Sequence, residues 1–192
     1  MVNSPLCRLW LFAVGASSVY ATTTGCRRLS TDVDWPTLQE WQEAIPGVEI
    51  QNNTDSLGPL PDYRIRAKCY EDVQTAVRFA AAKEVRVSVI TTGHDQLGRN
   101  IAGSGLLIDV SLLQGARVSP SFKATAEGVE NLRIKESVQT VTPIPGKQAA
   151  VTLNPAVNGF DLNTALDSSG LFLVGGTHGT FSSSTIILVY HY

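Results

Sequence analysis

The stretch VRVSVITTGHDQLGRN, residues 85–100, decides how the chain reads. Val85, Val87, Val89 and Ile90 are apolar and mostly β-branched, which predicts a buried strand over residues 85–91. The run then stops at Thr-Thr-Gly-His-Asp and passes through Gly98. Small residues after a buried strand let backbone N–H groups face open space, and such a concavity suits a phosphate or diphosphate. Gly93 relieves the steric limits beside His94, and a neutral imidazole there is a potential nucleophile. The same residues also make an ordinary turn with a solvent-exposed histidine. One glycine beside one histidine does not separate the two readings.

The flanks supply the frame. YEDVQTAVRFAAAKE, residues 70–84, predicts a helix with a broad apolar face of Val73, Ala76, Val77, Phe79, Ala80 and Ala81. Glu71 and Asp72 near its start suit the helix dipole. Before it, Tyr63, Ile65 and Ala67 alternate with Arg64, Arg66 and Lys68, the pattern of a one-sided strand. After the turn, GLLIDVSLL from Gly105 predicts another strand. Further upstream, DWPTLQEWQEAIPG predicts a helix capped by Asp34, with Pro36 in its first turn and Pro46-Gly47 at its stop. Downstream, residues 117–135 form a weak, partly polar region. KESVQTVTPIPG and QAAVTLNPAV look strand-like with proline interruptions, NGFDLNTALDSSG helical, and LFLVGGTHGT again a strand. The order of strand, helix, strand, turn and strand sets an α+β or α/β class.

The chain has 192 residues, 43% hydrophobic and 17% charged, with a net charge of −2. That is one ordinary globular domain, with no basic patch for nucleic acid. Arg8 is the only charge in the first 26 residues, and the apolar run 9–21 ends in Val19-Tyr20-Ala21. This predicts a secretory signal peptide over residues 1–21, against the alternative of an uncleaved anchor, and hence secretion with no membrane contact after cleavage. Cleavage would leave Cys26 and Cys69, a candidate disulfide or two separate thiols. Asn52-Asn53-Thr54 is a glycosylation triplet, with Asn52 as acceptor. His94, His178 and His191 show no ligand spacing, so no metal site is expected. A serine nucleophile elbow and a dinucleotide glycine fingerprint are also missing.

The ordered blocks, taken together, resemble a known family. Residues 84–118, the helix before them, and VTLNPAVNGFDLNTALDSSGLFLVGGTHGT, residues 151–180, are similar to the flavin-binding segment of the vanillyl-alcohol-oxidase superfamily. The nearest branch is the secreted fungal group similar to berberine bridge enzyme. The resemblance implies an α+β PCMH-type FAD-binding fold of two small subdomains, the second incomplete. It would occupy residues 35–180, after an N-terminal segment 22–34 and before an atypical tail 181–192. The first subdomain would end near Val118 and the second begin near Arg133, with FAD between them. His94 stands where the family attaches the flavin 8α carbon. Thr91, Thr92, Gly93, Asp95, Leu97 and Gly98 form the loop whose backbone would hold the diphosphate. Gly175, Gly176 and Thr177 match the start of a second FAD-contacting segment.

Two departures from the family pattern carry weight. Ile90 stands where many members have arginine, and His178 stands where bicovalent members have cysteine, so a single link through His94 is expected. No tyrosine can be assigned as the catalytic base, and a truncated product is expected, with the segment after Thr180 poorly packed. The implied activity is FAD-linked oxidation of a small organic substrate with O2 as acceptor, in a monomer. The alternative is a non-catalytic secreted flavin-binding remnant or interaction module.

Overall fold

The computed structural model describes residues 27–52, 60–101, 103–123, 125–126, 141–173 and, as backbone, 186–191. Helix α1 (Leu38–Ala44) starts where Thr37 and Glu40 cap each other. The Thr37 hydroxyl accepts from the Glu40 N–H at 3.3 Å, and the Glu40 carboxylate accepts from the Thr37 N–H at 2.8 Å. This reciprocal pair satisfies two otherwise orphaned donors. It displaces the expected cap at Asp34, which instead ion-pairs with Arg28 at 2.7 Å. Glu40 also meets the Lys83 ammonium at 2.5 Å. Lys83, then the Thr37 N–H and hydroxyl, pull the Glu40 carboxyl down to about 2.

α1 is held by aromatic packing. Trp41 is fully buried, with its ring edge-on to Phe79 at 4.5 Å and tilted against Tyr63 at 5.7 Å. Tyr63 stacks on Trp35 at 6.3 Å and donates its hydroxyl to the Pro36 carbonyl at 3.0 Å. Such pairs add about 0.5–1.5 kcal/mol each beyond the area they bury.

The first sheet is built from β1 (Ile50–Asn52), β2 (Tyr63–Arg66), β3 (Arg86–Ile90) and β4 (Gly105–Asp109), in the order β1-β2-β4-β3. β1 runs antiparallel to β2, while β2 and β3 both run parallel to β4. Helix α2 (Tyr70–Ala82) carries the chain from β2 past the place of β4 to β3. Ala76 and Ala80 are fully buried, and small side chains there let the helix lie close to the sheet. Val77 and Ala81 are exposed, so the apolar face is narrower than the periodicity suggests.

Register partners in a sheet share a face. Tyr63 and Ile65 on β2 align with Leu106 and Ile108 on β4, and these with Val87 and Val89 on β3. The first four are buried, and Val85 just before β3 is buried too. Val87 and Val89 are 37% and 53% exposed. The buried strand expected at residues 85–91 is thus an edge strand, anchored at Val85 and uncovered beyond it.

The opposite face carries Arg64, Arg66, Ser88, Leu107 and Asp109. Asp109 is 2% exposed. It accepts from Arg64 Nη2 at 2.5 Å and from the Ser111 N–H at 2.9 Å, with Arg66 Nε at 3.6 Å. Burial alone pushes its carboxyl up, but the bonds from Ser111 and Arg64 outweigh that and hold it below the ordinary range.

The second sheet is wholly antiparallel: β5 (Ala116–Ser119), β6 (Ala149–Leu153), β7 (Leu171–Phe172) and β8 (Ile186–His191), in the order β5-β6-β8-β7. Helix α3 (Gly159–Asp167), capped by Asn158 onto the Asp161 N–H at 2.8 Å, buries Leu162 and Leu166 against it. This sheet begins at Ala116, well before the expected Arg133. Residues 141–144 of the strand-like KESVQTVTPIPG form no strand. β8 pairs on both sides as an interior strand, whereas a loosely held tail was expected there.

Two separate cores follow, one around Trp41, Ile65 and Ile108, the other around Val151, Leu162 and Leu166. Asn154, 6% exposed, joins them. Its N–H donates to Gly115 O at 2.9 Å, its amide donates to Gln114 O at 2.6 Å, and its carbonyl accepts from the Tyr70 hydroxyl at the start of α2.

Because Asp109 is held below its unfolded value, its stabilisation is complete above about pH 4 and is lost as acid takes the folded group through its own lower pKa. Asp109→Asn should cost about 2 kcal/mol in urea unfolding at pH 7. It should also flatten the loss of stability as pH falls below about 4. An unchanged acid limb would show that the Arg64–Asp109 pair contributes nothing.

Candidate functional site

β3 and β4 are parallel neighbours, so the chain must return from the end of one to the start of the other. Residues 91–104 make that return without a helix. The loop leaves β3 at the carboxyl edge of the parallel strands, where open α/β sheets take their ligands. It encloses an open recess of about 570 Å³.

Thr91, Thr92, Gly93, His94, Asp95 and Leu97, all expected from the sequence, line this recess together with Val89, Ile90, Gln96, Arg99 and Asn100. Gly98, also expected, does not line it. Its N–H donates to Asp95 O at 3.1 Å and its carbonyl accepts from Ile101 N at 3.1 Å, so it forms the turn instead. Gly98 sits at φ +70° and Gly93 at φ +79°, in the left-handed region. A side chain at Gly93 would touch Ile90 Cδ1 at 3.6 Å and Asn100 Nδ2 at 3.9 Å, which are ordinary contacts. The glycine is therefore required by backbone conformation rather than by space.

Asp95 organises the loop. Its Oδ1 accepts from the Leu97 N–H at 3.1 Å, closing a side-chain turn. Arg99, one helical turn's spacing later, grips both carboxylate oxygens, Nε at 3.0 Å from Oδ2 and Nη2 at 3.2 Å from Oδ1. The Arg99 guanidinium holds the Asp95 carboxyl below the ordinary range against the opposing effect of burial, with the Leu97 N–H adding to it. His94 is exposed at the rim of the recess.

Whether these residues suit a diphosphate-bearing cofactor can be tested on the loop itself. Among the described residues no acceptor takes the N–H of Thr92, Gly93 or Gln96. Asn100 Oδ1 is buried and has no hydrogen-bond partner. Unspent donors and an orphaned amide around one recess fit a polar, anionic guest. Arg99, Gln96 and Asn100 were not among the expected site residues. The i, i+4 spacing of Asp95 and Arg99 was the available signal for the first.

Other expected positions fall elsewhere. Gly175, Gly176, Thr177, His178 and Cys26 lie outside the described residues. Cys69 is the N-cap of α2, half-buried, with its N–H on Asp72 Oδ2 at 3.1 Å. Asn52 is exposed at the end of edge strand β1.

An α+β fold with an N–H-rich crossover loop at a strand end is the frame of a nucleotide-cofactor domain. The FAD binding domain family matches residues 61–187, about two thirds of the chain and as far as β8. The chain belongs to that family, whose cofactor is FAD. Among curated relatives it is 32% identical over 120 residues to the flavin-dependent oxygenase ucdF of Aspergillus ustus, covering 62% of this chain and 19% of that protein. It is 28% identical over 121 residues to the VAO-type flavoprotein oxidase VAO615 of Thermothelomyces thermophilus, covering 63% and 18%. The chain thus spans about a fifth of the length of these relatives. Two solved structures share the fold. The VAO-type flavoproteins MtVAO615 and MtVAO713 of Myceliophthora thermophila superpose with TM-scores of 0.62 and 0.63 at 20% and 16% identity. Each alignment covers 82% of this chain and 36% of the solved one. The fold is therefore that of VAO-type flavoproteins, the PCMH-type FAD-binding fold.

Gly93→Ala should cost about 1–2 kcal/mol through left-handed strain alone, and Gly93→Asn less. Chemical unfolding of the two variants checks this. Equal, negligible costs would mean the loop relaxes without a glycine.

Proposed function

We propose that His94 carries FAD through a single covalent bond to the flavin 8α carbon. In this reading the chain serves an FAD-linked oxidase that oxidises a small organic substrate with O2 as electron acceptor. The observation that carries it is the exposed His94 beside a left-handed glycine, on the N–H-rich crossover loop of an FAD-binding family member. The N–H groups of Thr92, Gly93 and Gln96 would hold the diphosphate, with the Asn100 amide beside them. Gly175, Gly176 and Thr177 would add the second contacting segment. When bound, FAD supplies the hydride acceptor, while the protein holds and orients it. The same reading has the domain over residues 35–180 of a secreted monomer. Residues 1–21 would be removed, Asn52 would carry a glycan, and Cys26 would pair with Cys69.

A second reading is a non-catalytic secreted flavin-binding protein. Substrate-dependent hydrogen peroxide from the purified chain would exclude it.

Expressed with FAD, the chain should give a fluorescent band on a denaturing gel. His94→Ala should lose that band yet retain dissociable FAD. Fluorescence that survives in His94→Ala places the link elsewhere, and absence of flavin from both proteins removes the cofactor reading.

A further inference from the structure

Arg99 and Asp95 are the only charged side chains lining the recess among the described residues, and they are spent on each other. The Asp95 side chain is 19% exposed and fixed between the Leu97 N–H and the Arg99 fork. Its turn role demands a carboxylate or amide oxygen, and the carboxylate brings a negative charge to the wall of a recess suited to an anion. Left unpaired, that charge would repel a diphosphate a few ångströms away. Even in water two unit charges at 4 Å interact by about 1 kcal/mol, so the repulsion is not negligible. Arg99 is 75% exposed, and an exposed i, i+4 pair contributes little to folding. Stability therefore does not account for a fork that reaches both carboxylate oxygens.

We propose that Arg99 is a positioning residue for the cofactor. It neutralises Asp95 and fixes the turn, so that the diphosphate is held by backbone N–H groups in a loop of zero net charge. Arg99 itself does not contact the phosphates. This inference rests on the FAD reading of the recess and adds to it a division of labour. Backbone supplies the attraction, Asp95 shapes the loop, and Arg99 cancels the charge that the shaping requires.

The test measures FAD dissociation constants by flavin fluorescence in the full-length His94→Ala chain, where binding is reversible. Arg99→Ala should weaken binding roughly ten-fold at low salt, and the deficit should shrink towards 0.5 M salt as the unpaired Asp95 charge is screened. Adding Asp95→Asn to Arg99→Ala should restore most of the affinity, because the amide oxygen keeps the turn without the charge. Arg99→Lys should fall between, keeping the charge and losing the fork. Melting temperatures taken alongside show whether the fold is intact. Failure of Asp95→Asn to restore binding in a well-folded double variant overturns the proposal in favour of direct phosphate contact by Arg99. Unchanged affinity in Arg99→Ala, or a loss that tracks a fall in melting temperature and ignores salt, also overturns it. If the His94→Ala chain binds no FAD while the unaltered chain carries flavin on a denaturing gel, only this inference fails. If neither carries flavin, the reading of the recess fails with it.

Discussion

The parallel pairing of β3 with β4 is the constraint from which the candidate site follows. Antiparallel neighbours can be joined by two residues, but parallel neighbours need a dozen or more. Most sheets use a helix for that return. Here the chain uses residues 91–104, and a long connection without helical hydrogen bonds leaves backbone donors to be satisfied by something else. Asp95 and Gly98 take up some of that demand internally. The remainder includes the N–H groups of Thr92, Gly93 and Gln96, which is why the loop is the candidate binding element. The pairing register also fixes the starting point of the loop, because Ile90 aligns with Asp109 at the carboxyl ends of the strands.

Much of this was legible in the sequence. The alternation at residues 63–66, the helix at 70–82 and the small-residue break after Ile90 are local signals, and local signals survive folding. The turn after β3 was legible because it depends on backbone freedom, which glycine announces directly. What was hidden depends on long-range partners. The exposure of Val87 and Val89 follows from β3 lying at the sheet edge, which periodicity along β3 cannot reveal. Thr37 displaced Asp34 as the cap because Glu40 answers it three residues on. The interior position of β8 depends on pairing with β6, from which α3 and β7 separate it in the chain. Arg99 escaped notice because a lone exposed arginine is usually uninformative, and its meaning comes only from the carboxylate it grips.

The charged groups in the first half share a logic. Asp109 is buried but saturated by Arg64 and Ser111, and Glu40 is saturated by Lys83 and Thr37. In each case a carboxylate ties segments distant in sequence, β2 to β4 and α1 to α2. These ties complement cores in which alanine at 76 and 80 limits the apolar volume that α2 can bury. Asn154 does the same between the halves with neutral groups, and a buried amide with several partners is more directional than apolar contact would be.

The connectivity of the two sheets has a consequence for biosynthesis. Among the described residues the first sheet draws on residues 50–109 and the second on residues 116–191, so neither borrows a strand from the other. During translation at about 5–20 residues/s, the first sheet and its crossover loop are complete on the order of ten seconds before β8 emerges. The loop that presents His94 is therefore shaped by its own sheet while the ribosome is still making the other half of the molecule.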